Sequence, residues 1–449
     1  MKAPFSPYLS EIAPGLKQLV SLLRRSFDYV SVLSTDSMGF AVSISQRAKS
    51  VRNETMTTER GSVVRVCRGG LYSEAAFNDF DPLHPEAACA RLTDCLNRQF
   101  RVLEAAGVKP WQTAVLPDVP RQLFLEMECG RLPEKEDMSA LIDRLSALSD
   151  RGMAEGENLL DCTARAQSTH ICKLFLTEHQ DLRQSYVYSE GSLSAVGSLN
   201  GRTEMAHEGL SGREGPEIFD RMGEELLPET LKSLRELLSS ESVEPGEYDV
   251  ITSPDVTGLI AHEAFGHGVE MDMFVKHRAL GADYLGKRVG SDLVTMHEGA
   301  LCAESVTAYA FDDEGIPAGD VTEIDHGILK TGICDALSAL RLGVQPTGNG
   351  KRENFEHKVY TRMTNTLFDS GNSSLEEMIA SIGHGYLLKG MHSGMEDPKH
   401  WGIQCIVEKG YEIRDGKLTG KVVAPVVLTG YVPDLLGYIS MISRDRGVF

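Results

Sequence analysis

Residues 255–272, DVTGLIAHEAFGHGVEMD, bring His262, Glu263 and His267 together in an H-E-x-x-x-H arrangement. Two imidazoles suit a divalent metal such as zinc, and a carboxylate beside the first can act as a general base toward water. The spacing is one residue longer than the familiar H-E-x-x-H. On an α-helix an i,i+4 pair is offset by about 40°, whereas i,i+5 is offset by about 140° at 3.6 residues per turn. A regular helix would therefore aim the two rings apart. A single π-type turn, closed by an i to i+5 hydrogen bond, would return both histidines to one face, and Gly266 and Gly268 would ease that distortion. The alternative is that both histidines merely occupy a buried or surface face.

Outward from this block the chain alternates helical and strand patterns. Upstream, Leu16, Leu19, Val20, Leu23 and Phe27 recur at helical spacing, and DYVSVLST and GFAVSISQ alternate about an expected turn at Asp36 to Gly39. SVVRVCRGG reads as a strand, and EAACARLTDCLNRQFRVLEAAG as a helix ending at Gly107. A helix is expected over Asp137 to Met153, then strands in HICKLFLT and QSYVYS. EIFDRMGEELLPETLKSLRELLSS reads as one or two helices, broken or kinked near Pro228. SVEPGEYD is a polar linker, with a boundary near Ser242 to Glu247. Downstream, AESVTAYAFDD reads as a strand and QCIVEKGYEIRDGKLTGKVV as a hairpin turning between Arg414 and Lys417. The expected fold class is α/β (mixed α+β) in two domains. Residues 1–243 would form a β-meander with helices, and residues 244–449 a sheet-rich domain carrying HEAFGH.

The 449 residues, 41% hydrophobic and 24% charged, suit a globular chain with a sizeable core and argue against disorder. A formal charge of -20 makes nucleic acid and anionic lipid poor partners. Nine cysteines without a CxxC pair argue against a disulfide framework or zinc ribbon and for a reducing compartment. The opening MKAPFSPYLSEIAPG lacks the apolar segment of a secretion signal, and no apolar run approaches the ~20 residues of a membrane span, so a cytoplasmic protein is expected. GNGK at 348–351 is not a phosphate loop, no G-x-S-x-G elbow is present, and no fixed-period repeat is visible.

GLIAHEAFGHGVEMD resembles the signature of the TldD/PmbA family of metalloproteases. The likeness continues through GADYLGKRVGSDLVTMHEG, GNGKRENFEHKVYTRMTNT and VVAPVVLTGYVPDLLGYISM, and more loosely through the amino half. The HEAFGH block is similar to the TldD branch rather than the PmbA (TldE) branch, which lacks these ligands. The resemblance implies a zinc-dependent peptidase of two-domain α/β architecture, acting on short or unfolded peptides. It also implies a dimer, commonly a heterodimer with a metal-free PmbA/TldE-like subunit. By the motif, His262 and His267 would be zinc ligands and Glu263 the base. The family's third ligand is a cysteine in a G-x-C-G-K segment. This chain reaches SMISRDRGVF where that segment is expected, so either a truncated C-terminus or a lost ligand is expected.

Other residues compete for roles. Cys302, Cys334 and Cys405 could supply a thiolate but sit in apolar stretches, where free cysteine is commonly a small buried hydrophobe. His384 and His392 could approach the metal from a Gly-rich segment expected to be a loop. Glu270 and Asp272 could orient an imidazole. Arg362 and Asn365 could hold a peptide backbone or its terminal carboxylate, or be structural. Two classes of function follow: a peptidase, or a metal-free, inactive subunit that lends contacts to a partner protease. A metal-dependent hydrolase of another amide is a third.

Overall fold

Tyr29–Ile44 is one uninterrupted strand of 16 residues, where the sequence pattern suggested a turn at Asp36 to Gly39. In the computed structural model, which describes residues 1–105 and 111–448, this strand runs antiparallel to Leu159–Leu176 in unbroken register from Val32↔Leu176 to Ile44↔Ala164. The two residues that suggested a turn have other duties. A Cβ on Gly39 would overlap the carbonyl oxygen of Ser168, so glycine here permits close approach of the neighbouring strand. Asp36 is buried and accepts hydrogen bonds from Ser6 Oγ at 2.5 Å and Arg60 Nε at 2.8 Å.

Around this strand is an eight-stranded sheet. Its main path runs Leu71–Phe77, Arg60–Arg68, Tyr29–Ile44, Leu159–Leu176, Gln180–Leu199, Arg121–Glu126, with Lys49–Arg52 and Arg202–Gly212 paired beside it. Even-numbered residues of the long strand face helices. Val30 and Val32 pack with Pro7–Leu23 and Pro85–Ala105 at one end. Phe40, Val42 and Ile44 pack with Met138–Glu155 and Met222–Leu238 at the other. Asp137 caps the third of these helices by accepting from the amides of Ser139 and Ala140. The helix end expected at Gly107 lies outside the described residues. Met222–Leu238 continues through Pro228 rather than breaking there. Leu227 and Leu231 on either side are buried, and that packing outweighs the loss of about 3 kcal/mol that an interior proline carries.

The opposite face of the same sheet is covered by the carboxyl half. Leu33, Val63, Phe175 and Leu182 enclose Phe311, and Tyr29 and Cys67 meet Ala336. A strand buried on both sides loses the alternation that marks a half-exposed strand. AESVTAYAFDD, expected to be a strand, is irregular apart from a bridge between Phe311 and Pro317. Its apolar residues serve as that cover. A side chain replaces the sheet ladder: Gln184 Oε1 accepts from the Ala310 amide at 2.8 Å, and Gln184 Nε2 donates to the Phe311 carbonyl at 2.9 Å.

Past the linker, Asp249–Thr252 pairs in parallel with His384–Asp397, which pairs antiparallel with Gly402–Arg414. Lys417–Val423 and Val426–Tyr431 complete this sheet, and the Asp415–Gly416 turn closes the hairpin where Asp-Gly suggested it. GHGYLLKGMHSGMED, expected to be a loop, is a strand from His384 to Asp397. A smaller sheet orders Ile328–Leu329, Val321–Asp325, Met296–Glu298 and Thr366–Phe368. Between the two sheets lies a core that includes Phe265, Met296, Ile324, Trp401 and Cys405. The HEAFGH segment passes through this core. Among the described residues no helix is long and apolar enough to cross a membrane.

Candidate metal centre

The segment starts at the end of Asp249–Thr252, where Pro254 opens a short α-helix to Leu259. Asp255 pins that start to the neighbouring strand: its Oδ2 accepts from the amides of Gly390 and Met391, both at 2.9 Å. From Ile260 to Gly266 the backbone is a π-helix, and the His267 amide donates to the His262 carbonyl. The extra residue in the turn is therefore taken up between the two histidines themselves. Buried Ile260, Ala261, Ala264 and Phe265 hold the segment in the core, which leaves the histidines and Glu263 on its open side.

The imidazole centroids stand 4.9 Å apart at an interplanar angle of 75°. One ligand atom from each of His262, Glu263 and His267 lies within 4.8 Å of the others. Burial, and then the neighbouring His267, push the pKa of His262 down. Glu270 lifts that of His267 against the opposing effect of burial. Glu263 rests against the strand at Gly394, where a Cβ would overlap its Cγ and drive the carboxylate off its place.

Behind His267 a three-residue 3₁₀ turn returns the chain so that Glu270 Oε2 lies 3.5 Å from His267 Nδ1, the long limit of a hydrogen bond. Glu270 is fixed by a bridge to Ile333, with the Met271 amide donating to the Ile333 carbonyl at 2.8 Å. Asp272 turns away and pairs with Lys276 at 2.6 Å. Arg362 Nη1 stands 3.6 Å from Glu270 Oε2 and donates to the Thr361 carbonyl at 3.0 Å; its guanidinium lies over the Tyr360 ring, half exposed. Arg362 thus reaches the centre, but Asn365 does not face it. Buried, Asn365 donates to the carbonyls of Gly299 and Ala303 and accepts from Thr307 Oγ1, which commits its amide to the 299–307 loop.

None of Cys302, Cys334, Cys405, His384 and His392 joins the cluster. Cys302 donates to Asp320 at 3.2 Å and Cys334 to the Gln345 carbonyl at 3.3 Å, while Cys405 is fully buried. His384 packs against Tyr248 and Tyr386. Sequence reasoning missed Glu396. Its oxygens are buried without partners beside Gly268, and burial, aided by Asp397, pushes its carboxyl up to about 9. Nothing in its local pattern, GMED on a strand, distinguishes it. One other described group, the more exposed Asp118, Glu178 and His179, also brings ligand atoms this close, but Arg24 already pairs with Glu178 there at 2.9 Å.

Residues 245–449 match the family model described as the PmbA/TldA metallopeptidase C-terminal domain. A metalloprotease of Methanocaldococcus jannaschii is 28% identical over 329 residues, 69% of this chain and 72% of that relative. A metalloprotease of Synechocystis is 26% identical over 443 residues, covering 97% of this chain and 91% of its own. Among solved structures, TldE from Thermococcus kodakarensis superposes with a TM-score of 0.76 over 96% of this chain and 94% of that one, at 17% identity.

Proposed function

Because the chain belongs to the TldD/PmbA family, we propose that it is a zinc-dependent metalloprotease that hydrolyses peptide bonds in short or unfolded peptides. The observation that carries this is the π-helix, which gathers His262, Glu263 and His267 on one side. The two imidazoles, brought close together by the one backbone distortion that their spacing requires, supply two of the three protein ligands that a catalytic zinc takes. His262 and His267 would hold the metal, which supplies Lewis-acid polarisation when bound. Glu263 takes the proton of the attacking water and returns it to the leaving amine nitrogen. Its place against Gly394 sets where that proton is held. Arg362, half exposed beside the centre, is the side chain we assign to the peptide. Asn365 acts through the loop it staples.

The same reading divides the chain into an amino-terminal domain, residues 1–243, and a metallopeptidase domain, residues 244–449. It makes a PmbA/TldE-like subunit the partner in a dimer and the cytoplasm the compartment, in keeping with nine free cysteines. The test is metal content and peptide cleavage of the full chain, assayed with its partner subunit. His262→Ala and His267→Ala are expected to lose zinc. Glu263→Gln is expected to keep it while cleavage falls by about 10² to 10⁴. Equal zinc in wild type and both histidine variants would refute the reading.

A further inference from the structure

We infer that Glu270 is a positioning residue for His267: its carboxylate accepts a hydrogen bond from Nδ1–H and so leaves Nε2 as the nitrogen free to face His262 and Glu263. Arg362 braces that carboxylate from the solvent side. What this does for the metal rests on the metallopeptidase reading above. The tautomer itself does not.

The placement is built rather than incidental. A carboxylate only 5% exposed has little access to water, and its Oε1 has no partner at all. Such burial costs free energy unless a cation or donor stands close. The nearest donors to Oε2 are His267 Nδ1 at 3.5 Å and Arg362 Nη1 at 3.6 Å. Backbone geometry leaves little latitude, because the 3₁₀ turn sets the i,i+3 relation and the Ile333 bridge holds the residue from the other side. Of the other nearby acids, Asp272 pairs with Lys276, Glu263 lies on the open side against Gly394 and Glu396 sits beside Gly268; among the described residues Glu270 is the acid paired with His267. The hydrogen bond made by one ring nitrogen of a histidine decides which nitrogen remains available as a ligand. Here Nδ1 is the engaged one.

The test reads the tautomer directly. In metal-free full-length protein with ¹⁵N-labelled histidine, held near pH 9, above the ordinary histidine range, the His267 signals are assigned by their loss in His267→Ala. Wild type is expected to show Nδ1–H. Glu270→Gln, whose amide oxygen still accepts, is expected to retain it, and Glu270→Ala to shift His267 toward Nε2–H or a mixture. A thermal melt of each variant checks folding, and the glutamine variant keeps the comparison open if alanine unfolds the chain. An Nε2–H tautomer in wild type, or a distribution unchanged in Glu270→Ala, overturns the inference. Competition with a chelator for Co²⁺ then reads the consequence. Glu270→Ala is expected to bind about 10- to 100-fold more weakly than wild type, with Glu270→Gln in between. Undiminished Co²⁺ affinity in a folded Glu270→Ala overturns the positioning role. Failure of wild type to bind Co²⁺ refutes the metallopeptidase reading, and the tautomer result still decides the contact.

Discussion

Glu74→Gln is expected to weaken the seam between the large sheet and the carboxyl half, in a way that depends on pH. The Glu74 carboxylate accepts from Arg65 Nε at 2.5 Å and from both Nη atoms of Arg352, at 2.6 and 2.9 Å. Arg352 lies 278 residues away in sequence, and both guanidiniums are almost completely buried. Burial alone would raise the Glu74 carboxyl, but Arg65 and Arg352 outweigh it and hold the pKa at about 2, against an ordinary 4.5. A gap of that size corresponds to about 3 kcal/mol. The depressed pKa fixes the sign. The contribution is complete above the unfolded value and is lost as pH falls through the folded one, so less than half of it, about 1 kcal/mol, should remain at pH 3. Urea unfolding of wild type and variant at pH 7, 5 and 3 tests this. Equal stability at pH 7, or a difference that does not shrink between pH 5 and pH 3, would refute the reasoning.

Gly394→Ala is expected to keep the metal but cut peptide cleavage about 100-fold, because a misplacement of about 1 Å at the base costs that much; an unaffected kcat would show that Glu263 tolerates the displacement. Lys409, fully buried, donates to Ser233 Oγ at 2.6 Å and Glu236 Oε2 at 2.7 Å. Lys409→Ala leaves Glu236 without its buried cation and is expected to cost about 3–5 kcal/mol, read by chemical denaturation. Gln184→Leu strands the Ala310 amide and the Phe311 carbonyl; a loss of about 2–4 kcal/mol is expected, and a neutral result would mean that water replaces the amide.

What could be read from the sequence depended on whether a residue's duty was local. The π-turn was legible because two histidines five apart can share a face in only a few ways, and the Asp415–Gly416 hairpin because turn chemistry is local. The helices were legible from their apolar stripes. The long strand was misread at Asp36 to Gly39, where a buried acid and a glycine imitate a turn, but their partners, Arg60 and Ser168, lie on neighbouring strands. AESVTAYAFDD has the alternation of a strand, yet Gln184, more than 120 residues earlier, supplies its backbone partners. At the centre, sequence named His262, Glu263, His267 and Arg362. It could not choose between Glu270 and Asp272, because that choice is made by the 3₁₀ turn and by Lys276. Asn365 stood beside Arg362 in sequence but points into the loop.

The two-sided burial of the large sheet also sets a timetable for synthesis. Leu33, Val63, Phe175 and Leu182 have all been translated about 130 residues before Phe311, the side chain that covers them. At about 5–20 residues per second, the nascent chain carries that bare apolar flank for roughly 6–25 s. Helices can close the other side meanwhile, since all four lie within the first 238 residues. Chaperone occupancy on translating ribosomes should therefore peak after Leu182 emerges and fall once Phe311 clears the exit tunnel.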